Sequence, residues 1–383
     1  AGAFKVSLLR RARHVNPDTC NGLGECIEAC PIEVPDAFNK GLTMRKAIYR
    51  PVPHNVPQLL LVDTEACDKC GACVEVCPGG AIDLDAEDQA RDIEVGAIIL
   101  ALGSSLYDIR SADDAKSWKV SEDVVDSLTY ERLISGSGTY CGKILRPSDG
   151  REAKRIAWIQ CMGSRNRRQG RDYCSSICCM FALKEAVLAK QKGGPDTETT
   201  IFYMDMRTYG KGFYRYREAA EEEGVRLVRC RVQEVYCEAD GTLVVRYFDN
   251  KTGEFSIGEF DLVVMSTGQA PFEDHKRLAE LLKLDVNGTG LLPALDFDKV
   301  RLARPGMFMC GSLMGLTDIS EAVTSGTAAA GAASRMLVSR NMGPDEDDEI
   351  SDDLPPERDI EGQRPSVGVI LCRHKVPGTG ATL

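Results

Sequence analysis

A cysteine-rich segment occurs twice in this sequence, and the two copies are 47 residues apart. Residues 24–31 read GECIEACP, and residues 71–78 read GACVEVCP. A repeat at a fixed spacing indicates one structural unit that is used twice. A chain of 383 residues can bury a core without disulfide bonds, so its grouped cysteines indicate metal binding.

The second copy has the spacing C-x2-C-x2-C-x3-C-P, which is typical of bacterial two-cluster ferredoxins. In such proteins three cysteines of one copy bind one iron–sulfur cluster, and the fourth cysteine binds the other cluster. This crossing rule predicts one cluster on Cys30, Cys67, Cys70 and Cys73 and another on Cys20, Cys26 and Cys77. A structural zinc site is the alternative, but the duplication and the C-P ending favour clusters.

Leu23 stands in the first copy where the second copy has Cys70. One predicted cluster therefore lacks one thiolate. It has three irons, or four irons with a non-cysteine ligand, or the site is degenerate and holds no cluster. Because the other three cysteines are in place, we expect a three- or four-iron cluster.

A third cysteine group has the pattern C-x12-C-x3-C-C, which matches no common zinc or ferredoxin spacing. Its members are Cys161, Cys174, Cys178 and Cys179. The apolar run 156–159 predicts a strand that ends near the first of them, and a helix is predicted to begin at Cys178. A strand end and a helix start can converge on one cluster.

The loop inside this group is basic and contains Arg165, Arg167, Arg168 and Arg171. It is either a solvated loop, or it balances the charge of an anionic cluster or docks an acidic partner. The turn after the predicted strand, residues 160–165, contains one glycine, whereas a dinucleotide turn needs three. A nicotinamide cofactor is therefore not expected there.

Three further segments are typical of strands that end in a glycine turn: 94–103, 260–268 and 306–311. The apolar stretches Ala97 to Leu102 and Leu262 to Met265 predict buried strands. A helix rich in small residues is predicted over 325–333, and its N-terminus could stabilise the electron-rich edge of a reduced flavin. Tight packing of that helix is the alternative. The predicted cofactor-binding residues are Gly103, Gly268, Gly311, Asp318, Ile319 and Ala322.

The net charge of −11 comes mostly from residues 341–364, where ten acids face two arginines. This stretch predicts a solvated linker. There is no basic stripe with interleaved aromatics, no apolar run of membrane-spanning length and no secretory signal. We therefore expect no nucleic-acid partner, no transmembrane segment and a location in a reducing cytoplasm.

The order of these features resembles that of the A subunit of heterodisulfide reductase and its relatives, a family of iron–sulfur flavoproteins. The resemblance extends from about residue 4 to residue 338. It is carried by the phrases RKAIY (45–49), LRPSDG (145–150), IQCMGSR (159–165), YCSSICCM (173–180) and TIFYMD (200–205).

The resemblance implies an α/β fold, a thioredoxin-reductase-like flavoprotein with two dinucleotide-type domains and an inserted α+β two-cluster ferredoxin domain. The implied organisation is the end of a first FAD-domain segment (1–15), the ferredoxin insertion (16–92), an FAD-domain segment with a connection (93–153), a second dinucleotide-type domain carrying a cluster (154–265), a C-terminal FAD-domain segment (266–340), the acidic linker (341–364) and the start of a further domain (365–383). The family's first FAD segment would precede residue 1, so we expect a piece of a longer polypeptide. In that further domain Cys372 could be a cluster ligand.

The resemblance implies FAD and three [4Fe–4S] clusters as cofactors. The third cluster is implied on Cys161, Cys174, Cys178 and Cys179. The resemblance leaves open which type of cluster the Leu23 site holds. Lys184 holds the place of a family lysine near the flavin, or is an ordinary helix lysine. The function implied is an oxidoreductase, an electron-transfer subunit that exchanges electrons between FAD and clusters and in some relatives bifurcates them. Its implied partners are disulfide- or thiol-reducing subunits, hydrogenase or formate dehydrogenase donors, and ferredoxin. The alternatives are a component of a quinone-interacting or acyl-CoA-reducing complex and a stand-alone NAD(P)H flavin oxidoreductase.

Overall fold

The computed structural model describes residues 2–109, 120–167, 170–272, 274–295 and 298–342, with side chains up to residue 338. Arg168, the acidic linker from residue 343 onward and the tail with Cys372 lie outside the described residues. Residues 1–338 form one compact unit. None of the described helices combines the length and apolar character needed to cross a bilayer.

The described chain contains both strands and helices, with several runs of consecutive strands. The strands are β1 (Phe4–Arg10), β2 (Glu33–Pro35), β3 (Met44–Lys46), β4 (Ile48–Tyr49), β5 (Leu61–Val62), β6 (Gln89–Val95), β7 (Ile98–Leu100), β8 (Ser105–Leu106), β9 (Val124–Asp126), β10 (Arg155–Met162), β11 (Glu198–Tyr203), β12 (Arg226–Cys237), β13 (Leu243–Asp249), β14 (Glu254–Phe260), β15 (Leu262–Thr267), β16 (Gln269–Ala270) and β17 (Met307–Met309). The helices are α1 (Glu25–Ala29), α2 (Ala72–Glu75), α3 (Ser127–Ile134), α4 (Cys178–Gly193), α5 (Phe213–Glu222), α6 (His275–Leu282) and α7 (Ile319–Met342).

A seven-stranded sheet forms the largest element, in the order β14-β13-β12-β11-β10-β15-β9. Five neighbouring strands are parallel: β9, β15, β10, β11 and β12. At the other edge, β12, β13 and β14 form an antiparallel meander. Strand β10 is the middle one of the five parallel strands and is called the central strand below. Its alternate residues pack into cores on opposite faces, Trp158 on one face and Ile159 on the other. This sheet, with α4 and α5 connecting its strands, confirms the α/β prediction and is of the dinucleotide-domain type.

A small domain is inserted between β1 and β6. These two strands pair antiparallel from Phe4↔Val95 to Arg10↔Gln89, so they bring the two ends of the segment 11–88 together. The segment contains α1, α2 and two short antiparallel pairs, β2–β3 and β4–β5. The inserted α+β domain of the predicted fold class is confirmed, and its predicted bounds, 16–92, stay a prediction.

The sequence-based strand over 94–103 is wrong in detail. β6 ends at Val95 and β7 begins at Ile98, because the two halves pair with different partners, β1 and β17. The side chain of Leu100 is buried, but Ile99 is 41% exposed, since only alternate residues of β7 face the core. The prediction for Leu262 to Met265 is confirmed, as all four residues are fully buried.

The helix predicted over 325–333 is longer than expected. α7 begins at Ile319, because Asp318 and Glu321 form a reciprocal capping pair ahead of the small residues. The Asp318 carboxylate accepts the Glu321 backbone N–H at 2.8 Å, and the Glu321 carboxylate accepts the Asp318 N–H at 3.1 Å.

Candidate functional site

The cysteines of the inserted domain surround two separate cavities. The first cluster cavity, of about 380 Å³, is lined by Cys20, Cys26 and Cys77 together with Leu23. The second cluster cavity, of about 290 Å³, is lined by Cys30, Cys67, Cys70 and Cys73. Each cavity takes one cysteine from the other copy of the repeat, which is the arrangement that the crossing rule predicts. The ligand assignments themselves stay predictions.

The donors around the two cavities fit iron–sulfur clusters. All fifteen described cysteines are free thiols. The backbone N–H of Lys69 donates to Cys67 Sγ at 3.4 Å, and that of Ala81 donates to Cys77 Sγ at 3.3 Å. Such N–H···S bonds stabilise the thiolates of a cluster and tune its potential.

Cysteine thiols, the ligand type of iron–sulfur clusters, line both cavities. Among the described residues no group of three or more His, Cys, Asp or Glu side chains is arranged to hold a single metal ion. A cluster binds one thiolate at each iron, so its cysteines surround a void instead of meeting at a point, and both cavities have this form. Burial raises the pKa of the Cys26 and Cys73 thiols, so binding of iron must displace their protons.

The backbone at Leu23 matches the backbone at Cys70. The Asn21 side chain accepts the Leu23 N–H at 3.2 Å, and the Asp68 side chain accepts the Cys70 N–H at 3.1 Å. Leu23 is 63% exposed, and Cys70 is exposed as well. The two turns therefore differ in the side chain at the ligand position and not in the path of the chain.

The third cysteine group lies at the carboxyl end of the central strand. Cys161 is near the end of β10 with a left-handed backbone (φ 66°), and Cys178 and Cys179 are the first residues of α4. In a dinucleotide-binding domain the pyrophosphate lies between these same two elements, against the positive end of the helix dipole. That position stabilises the negative charge of a thiolate cluster equally well.

Hydrogen bonds connect the thiols of this group. The pKa of Cys178 is held well below its usual range, first by a hydrogen bond from Cys161 and then by one from Cys179. The Ser175 hydroxyl also donates to Cys178 Sγ, at 3.6 Å. The backbone N–H of Arg207 donates to Cys179 Sγ at 3.4 Å. The predicted helix start and strand end thus bring these thiols together.

The described arginines of the 165–171 loop make different contacts. Arg165 donates to the Cys161 sulfur and pairs with Asp205. Arg207 pairs with the same carboxylate at 3.0 Å. The Arg171 guanidinium lies 4.3 Å from the centre of the Tyr107 ring. Charge balance for a cluster is therefore supported at Arg165, whereas Arg167 is exposed.

A cavity of about 990 Å³ opens beside this cysteine group. It lies at the carboxyl ends of β10 and β11 and beside the middle of β12, and it is lined by Cys161, Arg165, Tyr203, Cys230 and Arg231 among others. It occupies the place where a dinucleotide lies in sheets of this type. The turn beside it is closed by aromatic packing, since a Cβ on Gly163 would lie 2.0 Å from the Tyr107 ring.

The predicted flavin residues surround a second strand edge. β7 and β17 are parallel, so Gly103 and Gly311 both follow their carboxyl ends. The Gly311 N–H donates to the Ser325 hydroxyl of α7 at 2.9 Å. Ile319 begins α7 and is 84% exposed, and Ala322 lies in the same first turns, next to Gly311. Asp318 is engaged as the cap of α7, so its side chain already has a structural partner.

Gly268 does not lie at that edge. It connects β15 of the seven-stranded sheet to β16, which forms a two-stranded sheet with β8. β16 pairs antiparallel with β8, and a Cβ on Gly268 would lie 2.1 Å from Ser175 Oγ. This glycine therefore allows close approach to the third cysteine group. Lys184 is an exposed residue of α4, and its role near the flavin stays a prediction.

Sequence reasoning missed Ser175, Arg207 and Tyr107, which contact the third cysteine group or its turn. The position of Arg207 just beyond β11, at the carboxyl edge of the sheet, was the one available signal. Tyr107 is distant in sequence, and no local pattern indicated it.

Residues 19–82 match a family model described as a 4Fe-4S dicluster domain. An iron–sulfur A-type subunit of the CoB–CoM heterodisulfide reductase of Methanopyrus kandleri is 41% identical over 342 residues, which is 88% of this chain and 52% of that protein. The corresponding A-type subunit of the H2:CoB–CoM heterodisulfide,ferredoxin reductase of Methanothermobacter thermautotrophicus is 38% identical over 342 residues, 88% of this chain and 51% of that one.

Solved thioredoxin reductases share 16% identity with the chain. The T. acidophilum enzyme has a TM-score of 0.40 and covers 67% of this chain and 70% of its own. The Lactococcus lactis enzyme has a TM-score of 0.42, with 76% and 86% covered. The chain spans about half the length of the curated relatives named above. With a [4Fe–4S] dicluster match in residues 19–82 and this identity along 88% of its length, the chain is similar to the A-type iron–sulfur subunits of heterodisulfide reductases.

Proposed function

We propose that this protein is an electron-transfer component of a heterodisulfide-reductase-like complex, an oxidoreductase that contains FAD and three iron–sulfur clusters. The flavin exchanges electrons in pairs or singly, and each cluster carries one electron, so together they connect two-electron and one-electron chemistry. The observation that carries the proposal is the sorting of the repeated cysteines into two cavities, each completed by a cysteine of the other copy.

The proposed FAD site is supported by the edge formed by β7, β17 and the start of α7. Gly103 and Gly311 leave room there, and the α7 N-terminus has a positive dipole end. Gly268, which connects β15 to β16, lies close to Ser175 in the third cysteine group's loop. The chain's own contribution is to place these sites and to tune their charge through N–H···S bonds and Arg165.

The proposed partners are the disulfide- or thiol-reducing subunits of such a complex and a hydrogenase- or formate dehydrogenase-type donor. One relative is named an H2/formate:CoB–CoM heterodisulfide,ferredoxin reductase, so ferredoxin is a proposed acceptor and bifurcation a proposed activity. Clusters on free thiols require reducing surroundings, which favours the cytoplasm.

Metal and flavin analysis of the native protein, isolated anaerobically, tests this proposal. We expect bound FAD and about eleven or twelve irons per chain, depending on the cluster at Leu23. Cys73→Ser should lower the iron content by about four with loss of one EPR signal. Cys141→Ser is the control, because Cys141 is exposed and lies in neither cluster cavity. A protein without flavin or clusters would contradict the proposal.

The cavity at the end of β10 is the observation that favours a competing function, a stand-alone NAD(P)H flavin oxidoreductase. The cavity lies where a dinucleotide lies in sheets of this type, but Cys161 and Arg165 occupy the place of the glycine-rich turn. Stopped-flow mixing with NADH or NADPH separates the two functions. We expect no flavin reduction by either, and rapid hydride transfer would favour the competitor. A quinone-interacting or acyl-CoA-reducing complex would be recognised by its copurifying subunits.

A further inference from the structure

The turn at Leu23 is built as a ligand turn but lacks its ligand. Asn21 holds the Leu23 N–H in the same way that Asp68 holds the Cys70 N–H, at 3.2 and 3.1 Å. Cys20, Cys26 and Cys77 line the rest of the first cluster cavity. Three corners of a cluster there have a cysteine, and the fourth faces the Leu23 turn.

This fourth corner is at the protein surface. Leu23 is 63% exposed, whereas Val15 and Leu60 on the inner side of the same cavity are 3% and 2% exposed. A small molecule can therefore reach the corner from solvent without opening the domain. The buried apolar side shields Cys26, whereas Cys20 and Cys77 are half-buried.

A cation lies beside the same turn. Arg50 Nη2 donates to the Gly22 carbonyl oxygen at 2.6 Å and comes within 3.3 Å of a Cβ built on Gly24. Its Nε atom is buried and has no hydrogen-bond partner among the described residues. Arg50 contacts the turn and is not among the residues that line the cavity, but its guanidinium is always charged and would favour an anion bound beside the turn.

The chain offers one carboxylate of its own at this cavity. Among the lining residues that the structure describes, Glu25 alone is acidic. It is exposed in the first turn of α1, where the helix dipole stabilises an acid without any metal. Asn21 is already used by the Leu23 N–H. Iron in clusters prefers sulfur ligands, so an external thiolate is the better complement to this corner.

We propose that Leu23 leaves one iron of this cluster open to a small external thiol, which binds there as the thiolate beside Arg50. This inference rests on the proposed iron–sulfur function. Binding forms one iron–sulfur bond, displaces solvent and releases the thiol proton to solvent, and no electron is transferred. The corner is thus a binding site for small thiols on an otherwise protein-bound cluster.

EPR of the reduced native protein with and without 2-mercaptoethanol tests the site. We expect the signal of the first cluster to change reversibly with thiol, and Leu23→Cys to abolish the response. Cys70→Leu is the matched variant, since it creates the same open corner in the second copy and should make the second cluster respond too. Arg50→Ala should weaken thiol binding roughly two- to fivefold, the range of a partly exposed ion pair, and Arg50→Lys should weaken it less.

Three results would overturn the inference: a wild-type signal that ignores the thiol, a three-iron cluster in the wild type, or a response that survives Leu23→Cys. Thiol sensitivity that appears only in Glu25→Ala would identify the Glu25 carboxylate as the ligand instead. The second cluster, with its four cysteines, is an internal reference. Loss of both cluster signals would contradict the proposed function, whereas an unresponsive first cluster contradicts this inference alone.

Discussion

Glu185 has a carboxyl group that is completely buried in α4, beneath the central strand. One oxygen accepts the Trp158 indole N–H at 2.7 Å, and the other has no hydrogen-bond partner among the described residues. Desolvation raises the pKa of this carboxyl well above its usual value. The folded protein therefore holds the proton more tightly than the unfolded chain does.

This burial predicts a loss of stability as pH rises. The raised pKa means that the contribution of protonated Glu185 is fully present below the unfolded pKa, near 4.5, and is lost as pH increases toward the folded pKa. Glu185→Gln keeps an acceptor for Trp158 and cannot ionise. We expect it to stabilise the protein by about 1–3 kcal/mol at pH 8 relative to wild type, and by little at pH 5. Denaturant unfolding at both pH values measures this, with Glu222→Gln, an exposed glutamate of α5, as control. An equal effect at both pH values would argue against a titrating Glu185.

Gly163 holds the turn that follows Cys161 against the Tyr107 ring. Its φ is +76°, and a Cβ there would lie 2.0 Å from the ring. We expect Gly163→Ala to destabilise the protein by about 2–4 kcal/mol and to lower occupancy of the third cluster, because both the backbone and the ring must shift. Gly170→Ala is the matched control, since its φ is +67° with open space around it, and should cost about 1 kcal/mol. Thermal unfolding and iron content measure the two effects, and equal losses in both variants would exclude the Tyr107 contact as the cause.

At the scale of elements, Asp318 at the start of α7 has either a structural role or a role in cofactor binding, and two substitutions distinguish them. Its side chain caps the helix through the Glu321 N–H at 2.8 Å. We expect Asp318→Ala to destabilise the protein by about 0.5–2 kcal/mol, and Asp318→Asn to cost much less because Asn also caps helices. Both variants should keep FAD. Loss of FAD in the stable Asn variant, measured by flavin release, would show that the carboxylate contacts the cofactor instead.

The elements also show how far local sequence patterns reach. The cysteine spacing predicted both cavities of the insertion, because the ligands of a ferredoxin run are set by short-range turns such as those at Asn21 and Asp68. The break at residues 96–97 was not predictable, since an apolar run does not reveal that its halves pair with different strands. The contact of Tyr107 depends on the tertiary fold and left no local pattern, whereas Arg207 was indicated only by its position just beyond β11.

At the scale of the whole molecule, two kinds of core stabilise the described chain. The sheet domain has cores on both faces, with large apolar residues such as Trp158, Ile201 and Leu262 fully buried. The buried core of the insertion is small, and three of its nine residues are cysteines that face the cluster cavities. We therefore expect the insertion to depend more on its clusters for stability than the sheet domain does.

Removal of iron should unfold the insertion selectively. Without clusters, the cysteine-lined cavities lose the groups that bridge their walls, and few apolar contacts remain to hold α1 and α2 in place. We expect amide hydrogen exchange in residues 11–88 to become fast after chelation of iron, while β10, β11 and β15 keep slow exchange. Cys73→Ser provides a graded control, because it should remove one cluster and loosen the second cluster cavity before the first. Loss of protection in the sheet at the same iron content would show that the two regions unfold together. Retained protection in the insertion would show that its core suffices without metal.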